Sequence, residues 1–124
     1  MSLPDAQLHQ ILAQMQAQAV AAQRELSRVR AQSSSLEGAR RRAELTRRQV
    51  EEEKDATLWV GRGKMFLKTP SPDVQAELLE REQTLSAEVA NLGKKMKFLE
   101  KQAAEAQGHL RDVFRGMDAQ QRAT

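Results

Sequence analysis

Cysteine is absent from these 124 residues. That removes disulfides, thiol chemistry and the common zinc-binding arrangements, and it fits a reducing compartment. Tyrosine is absent too, and aromatics make up only 3% of a chain in which 30% of residues are charged. So short and polar a chain cannot wrap a broad globular core around itself, and its apolar residues must serve a narrow seam. No stretch approaches the roughly 20 consecutive apolar residues of a membrane span. The N-terminal "MSLPDAQLHQ" lacks the basic and then apolar order of a secretory leader. The expected compartment is therefore the cytosol or the nucleus, with no membrane partner.

What the chain does contain is a helix-favouring mixture of Ala, Leu, Gln, Glu, Lys and Arg, with sustained hydrophobic periodicity. Stepping by sevens from Leu8 gives Met15, Ala22, Val29, Leu36, Ala43 and Val50, and the interleaved series Leu12, Ala19, Leu26, Ser33, Arg40, Arg47 is apolar in its first half. Later, Leu78, Leu85, Leu92, Leu99, Ala106 and Val113 alternate with Glu82, Val89, Met96, Ala103, Leu110 and Met117. These are heptad patterns, and they predict two long coiled-coil helices. A short connection folds such helices back antiparallel. One register then pairs Leu8 with Met117, Leu12 with Val113, Met15 with Leu110, Ala19 with Ala106, Leu26 with Leu99, Val29 with Met96, and Leu36 with Val89. The expected bounds are a first helix over about 5–54, a hairpin over about 57–68 and a second helix over about 72–120, in one domain. In "TPSPD", Ser71 is placed to cap the second helix, with Pro72 in its first turn.

The stretch between the helices, "TLWVGRGKMFLKT", is of a different kind. The symmetry that closes the seam is centred between Arg62 and Gly63, and it makes this stretch a β-hairpin in which Leu58 faces Leu67, Trp59 faces Phe66 and Val60 faces Met65. Gly61 and Gly63 supply the backbone angles of the turn; a three-residue turn would shift the pairing by one. Leu58, Val60, Met65 and Leu67 then share one face, and Trp59 and Phe66 the other, so neither face suits water. One outcome is that the hairpin plugs the helix ends, but Arg40, Arg47 and Glu82 offer it little apolar surface. The other is that hairpins from several chains join edge to edge, because a lone two-stranded hairpin is marginal in water and has two open edges.

The whole chain resembles the β class of prefoldin subunits. The likeness is carried by "GRGKMF" at 61–66 after an aromatic at Trp59, similar to that family's Tyr-x-Gly-Val-Gly-Arg-Met-Phe stretch, and by "AELLEREQTLSAEVANLGKKMKFLEKQ" downstream. Trp59 stands where Tyr is usual, and Arg62 where a small apolar residue is common. The resemblance implies an all-α-dominated fold, a long antiparallel two-helix coiled coil joined by one β-hairpin. It further implies a heterohexamer with α-class and other β-class prefoldin subunits, working as an ATP-independent chaperone that captures unfolded actin- and tubulin-type clients and passes them to the cytosolic chaperonin. Subunit assembly would fall to Leu58, Trp59, Val60, Gly61, Gly63, Met65, Phe66 and Leu67.

Helices of this length would carry their free ends roughly 70 Å from the hairpin. Near those ends lie Leu3, Leu8, Ile11, Leu12, Leu110, Val113, Phe114 and Met117. They are candidates for client contact, since flexible Met and splayed apolar side chains accept many unfolded sequences and weak contacts from several ends add up. The other reading of them is simply the end of the coiled coil. Ser33, Ser34, Ser35 and Gly38 on the first helix lie opposite Gly93 on the second, which makes a local soft point an alternative to mere surface polarity.

The remaining signals are weak. The basic run "RRR" at 40–42, with Arg47 and Arg48, is interspersed with Glu37, Glu44 and "EEE" at 51–53, net charge is only +3, and no aromatic platform accompanies it. A solvated helix face with local ion pairs accounts for it better than nucleic acid does. His9 and His109 sit a heptad out of register and lack metal-ligand company. "GRGK" lacks the spacing of a nucleotide loop, and no Ser, His and Asp grouping suggests a nucleophile. The expectation is a non-enzyme with no cofactor.

Overall fold

The computed structural model describes residues 5–53 and 57–123. The elements run α1 (Asp5–Glu52), β1 (Thr57–Arg62), β2 (Met65–Pro70) and α2 (Ser71–Ala123). Residues 53–56 separate α1 from β1, whereas β2 passes into α2 with nothing between. By internal packing the chain divides into two compact units, Met1–Ala31 with Gly93–Thr124, and Gln32–Leu92.

In the first unit the heptad positions are the buried ones. Ala19, Leu26, Val29, Leu99 and Ala103 are buried, Val29 completely. Leu8, Leu12, Met15, Ala22, Met96, Ala106, Leu110, Val113 and Met117 are half-buried. Ion pairs from Arg30 to Glu100 (3.2 Å) and from Lys95 to Glu25 (3.7 Å) flank this seam. The Glu25 carboxylate also takes two hydrogen bonds from Arg28.

In the second unit the seam turns polar without losing its period. Ser33 and Ala43 are buried and Leu36, Arg40, Arg47, Leu78, Glu82, Leu85, Val89 and Leu92 are half-buried. Arg47 donates to Glu82 across the seam and to Glu51 on its own helix. These partners hold its guanidinium proton more firmly than usual, the Glu82 hydrogen bond being the largest cause. Along α1, Arg40 binds Glu37 and Glu44, and Arg48 binds Glu44. The basic run is thus laced with ion pairs at helical spacing.

The junction of the hairpin with the helices is tied at Ser71, which is 1% exposed. Expected as a cap, it is instead the first residue of α2 and reaches sideways: its hydroxyl donates to the Val50 carbonyl (3.5 Å) and accepts from the Gln75 amide (3.1 Å). The same Val50 carbonyl accepts the Glu53 N–H at 3.0 Å. A carbonyl in the last turn of α1, which has no partner further along its helix, is thereby satisfied.

The hairpin pairs Leu58 with Thr69, Trp59 with Lys68, Val60 with Leu67, Gly61 with Phe66 and Arg62 with Met65. The expected pairs Leu58–Leu67, Trp59–Phe66 and Val60–Met65 are therefore displaced by two positions. The hairpin is centred between Gly63 and Lys64 because the first central position of its turn needs the positive φ that Gly63 adopts. The turn residues are Gly63 and Lys64, and Gly63, at φ +62°, is the one residue with positive φ among those described. Positive φ at the first central position alone, with Gly there, is the signature of a type II′ turn. Gly61 has no such role: it lies in β1 under the Phe66 ring, and a Cβ there would sit 3.7 Å from Phe66 Cε1.

Candidate functional site

A displacement of two leaves every side chain on its expected face, since strand side chains alternate with period two. Leu58, Val60, Met65 and Leu67 share one face with Arg62 and Thr69, and Trp59 and Phe66 share the other with Gly61 and Lys68. The faces are unequally covered. Leu58, Val60 and Thr69 are half-buried, but Trp59 is 67% exposed, Met65 67% and Phe66 71%, and Leu67 is also exposed. The hairpin is therefore not a plug that hides its aromatics within its own unit. Of the two glycines expected in the turn, Gly63 makes it, while Gly61 lies in β1 at ordinary contact distance from the Phe66 ring.

Arg62 forms an ion pair with Glu77 of α2. It supplies a partner for the arginine that the sequence left unexplained at the turn. The signal was present in the spacing, since Glu77 lies on the second turn of α2, but nothing in one sequence marks which carboxylate a strand residue will reach.

At the free ends, in the first unit, the seam residues Leu8, Leu12, Leu110, Val113 and Met117 are half-buried. Ile11 (40%) and Phe114 (42%) are more exposed, as expected of residues beside the seam. Leu3 lies outside the described residues. Off-seam apolar residues that the periodicity did not select are also exposed: Val20, Leu45, Leu79 and Phe98. Among the described residues no helix is long and apolar enough to cross a membrane.

The chain and its architecture match known proteins. A sequence profile of the family described as prefoldin subunit matches residues 13–117. This chain belongs to the prefoldin family. It is 25% identical over 117 residues to prefoldin subunit 1 of Danio rerio, covering 94% of this chain and 96% of that protein. The crystal structure of the prefoldin β subunit from Thermococcus strain KS-1 superimposes with a TM-score of 0.77 at 21% identity, over 90% of this chain and 95% of that one. At that identity the match speaks for the fold, two long helices joined by one antiparallel hairpin, which is the prefoldin β fold. The chain is thus a β-class prefoldin subunit, similar to subunit 1, and a prefoldin-family chaperone subunit that associates with other prefoldin subunits.

Proposed function

We propose that this chain serves in a heterohexameric, ATP-independent co-chaperone that captures unfolded proteins of actin and tubulin type and transfers them to the cytosolic chaperonin. The observation that carries the proposal is the hairpin: Trp59, Met65 and Phe66 remain largely in water on an element with two open strand edges. Such an element gains most by pairing with hairpins of α-class and other β-class subunits, which would bury both faces and both edges at once. In this reading Leu58, Trp59, Val60, Gly61, Gly63, Met65, Phe66 and Leu67 make the assembly surface. Client contact is assigned to the free ends, with Ile11 and Phe114 the most available side chains and Leu3, Leu8, Leu12, Leu110, Val113 and Met117 around them.

Mixing the chain with purified α-class prefoldin subunits and measuring the mass of the product tests assembly. A six-chain complex is expected; a chain that stays a well-behaved monomer in their presence would overturn the proposal. Removing residues 1–11 and 111–124 tests the ends: assembly should persist while protection of an unfolded client from aggregation is lost. Client protection that survives the truncation moves the binding surface elsewhere. The competing reading is a coiled-coil scaffold whose hairpin only reverses the chain. It predicts that the truncated and full-length chains are equally inert toward unfolded clients.

A further inference from the structure

The two edges of the hairpin are not equivalent. In a two-residue type II′ hairpin the residues flanking the turn exchange both backbone hydrogen bonds with each other. Those residues are Arg62 and Met65. Alternation along the ladder then directs the N–H and C=O groups of Val60, Leu58, Leu67 and Thr69 inward as well, and leaves those of Thr57, Trp59 and Gly61 pointing away from β1's partner. On β2 the outward positions are Phe66, Lys68 and Pro70.

Chemistry separates these sets. Pro70 has no N–H to offer, so β2 presents donors only at Phe66 and Lys68, while all three outward positions of β1 carry one. Lys68 sits in the middle of the β2 edge, and neither it nor Lys64 of the turn has an ion-pair partner among the described residues. A strand laid on that edge must accommodate an uncompensated charge, which weakens pairing there relative to the β1 edge. On the β1 edge the corresponding middle position is Trp59, largely exposed and ready to pack against a neighbour's side chain. The one charged residue of β1, Arg62, already has Glu77.

We infer that β1 is the receptive edge: a hairpin strand of an α-class prefoldin subunit docks on the outward N–H and C=O groups of Thr57, Trp59 and Gly61 and is held more tightly there than any strand on the β2 edge. The inference rests on the assembly reading above and adds the side from which assembly proceeds.

Proline in place of an outward residue deletes the donor to the neighbour while leaving the hairpin's own ladder intact, so each proline variant is compared with alanine at the same position. Affinity of the full-length chain for a purified α-class prefoldin subunit is the readout. Trp59→Pro should bind about tenfold more weakly than Trp59→Ala, the loss of one well-placed hydrogen bond. Lys68→Pro should stay within about threefold of Lys68→Ala, being an edge that contributes less. Equal losses at the two positions, or a larger one at 68, would overturn the inference. Amide exchange on the unmodified chain gives the same answer without relying on a variant's folding. Adding the α-class subunit should slow Trp59 and Gly61 more than Phe66 and Lys68, and the reverse order refutes it. A complex protected on the β2 edge removes this inference and leaves assembly standing, whereas no complex with the unmodified chain removes both.

Discussion

Arg62, the last residue of β1, is held by Glu77 in the second turn of α2. The contact runs from the residue beside the turn, the part of the hairpin farthest along the chain from either helix, to a helix that the other strand feeds. Both side chains are about half exposed, so the pair is sensitive to salt and small in energy. Its effect is on position. Glu77→Gln should leave the melting of the helices unchanged but speed amide exchange at Arg62 and Met65, and 0.5 M salt should do the same to the unmodified chain. Unaltered exchange in both cases would show that the strand ladder alone holds the turn.

The two hairpin glycines should respond in opposite ways. Gly63 needs positive φ, and Gly63→Ala is expected to cost about 1–2 kcal/mol of hairpin stability. Gly61 has no such need, and a methyl group there meets the Phe66 ring at ordinary contact distance. Gly61→Ala should therefore be neutral or slightly stabilising, within about 0.5 kcal/mol. Hairpin amide exchange of the two variants checks both.

Seam and hairpin separate stability from assembly. Leu26 is 3% exposed, and Leu26→Ala should lower urea stability by about 2–4 kcal/mol through lost burial and the cavity left behind. Phe66→Ser removes a side chain that stands mostly in water, so the solitary subunit should keep its stability within about 0.5 kcal/mol while complex formation with α-class subunits fails. A large stability loss for Phe66→Ser would mean that the ring is supported within the monomer.

Acid should weaken the coiled coil through two carboxylates. The Glu25 and Glu37 carboxyls lie below their ordinary value of 4.5, chiefly because Arg28 and Arg40 donate hydrogen bonds to them. The unfolded chain then binds more protons in that range, so stability rises with pH: the contribution is complete above the unfolded value and is lost as pH falls through the lower folded one. Melting followed from pH 7 down to about 3 should show the decline, and Glu25→Gln with Glu37→Gln should flatten it. Because both groups face solvent, high salt should flatten it too.

Ser33–Ser35, Gly38 and Gly93 are proposed as a soft stretch of the two helices. Both helices run through these positions without a break, and Ser33 is buried at a seam position where a hydroxyl replaces an apolar side chain. Amide exchange there should be faster than at Leu26 and Leu99. Equal protection would assign these residues to ordinary surface polarity.

The buried positions of the seam were legible because a heptad repeat states which residues face inward. Even Arg47 and Glu82, polar members of their series, fall at half-buried positions and meet each other. The faces of the hairpin were legible for a similar reason, since alternation survives a displacement of two. The register was not. Carrying the centre of the seam into the hairpin assumes that the two share one, whereas the turn is set by the positive φ of Gly63. A sequence does not reveal that four residues lie between Glu52 and Thr57 but none between Pro70 and Ser71. Nor does it reveal that Ser71 spends its hydroxyl on Val50, or that Arg62 finds Glu77.

That unequal joining sets what the chain can tolerate in evolution. One residue inserted between Pro70 and Ser71 would rotate all of α2 by about 100° against the hairpin and drive its seam out of phase. An insertion between Glu52 and Thr57 falls between two elements rather than at a direct join. Length differences among related chains should collect on the entrance side of the hairpin, leaving the exit as a fixed splice.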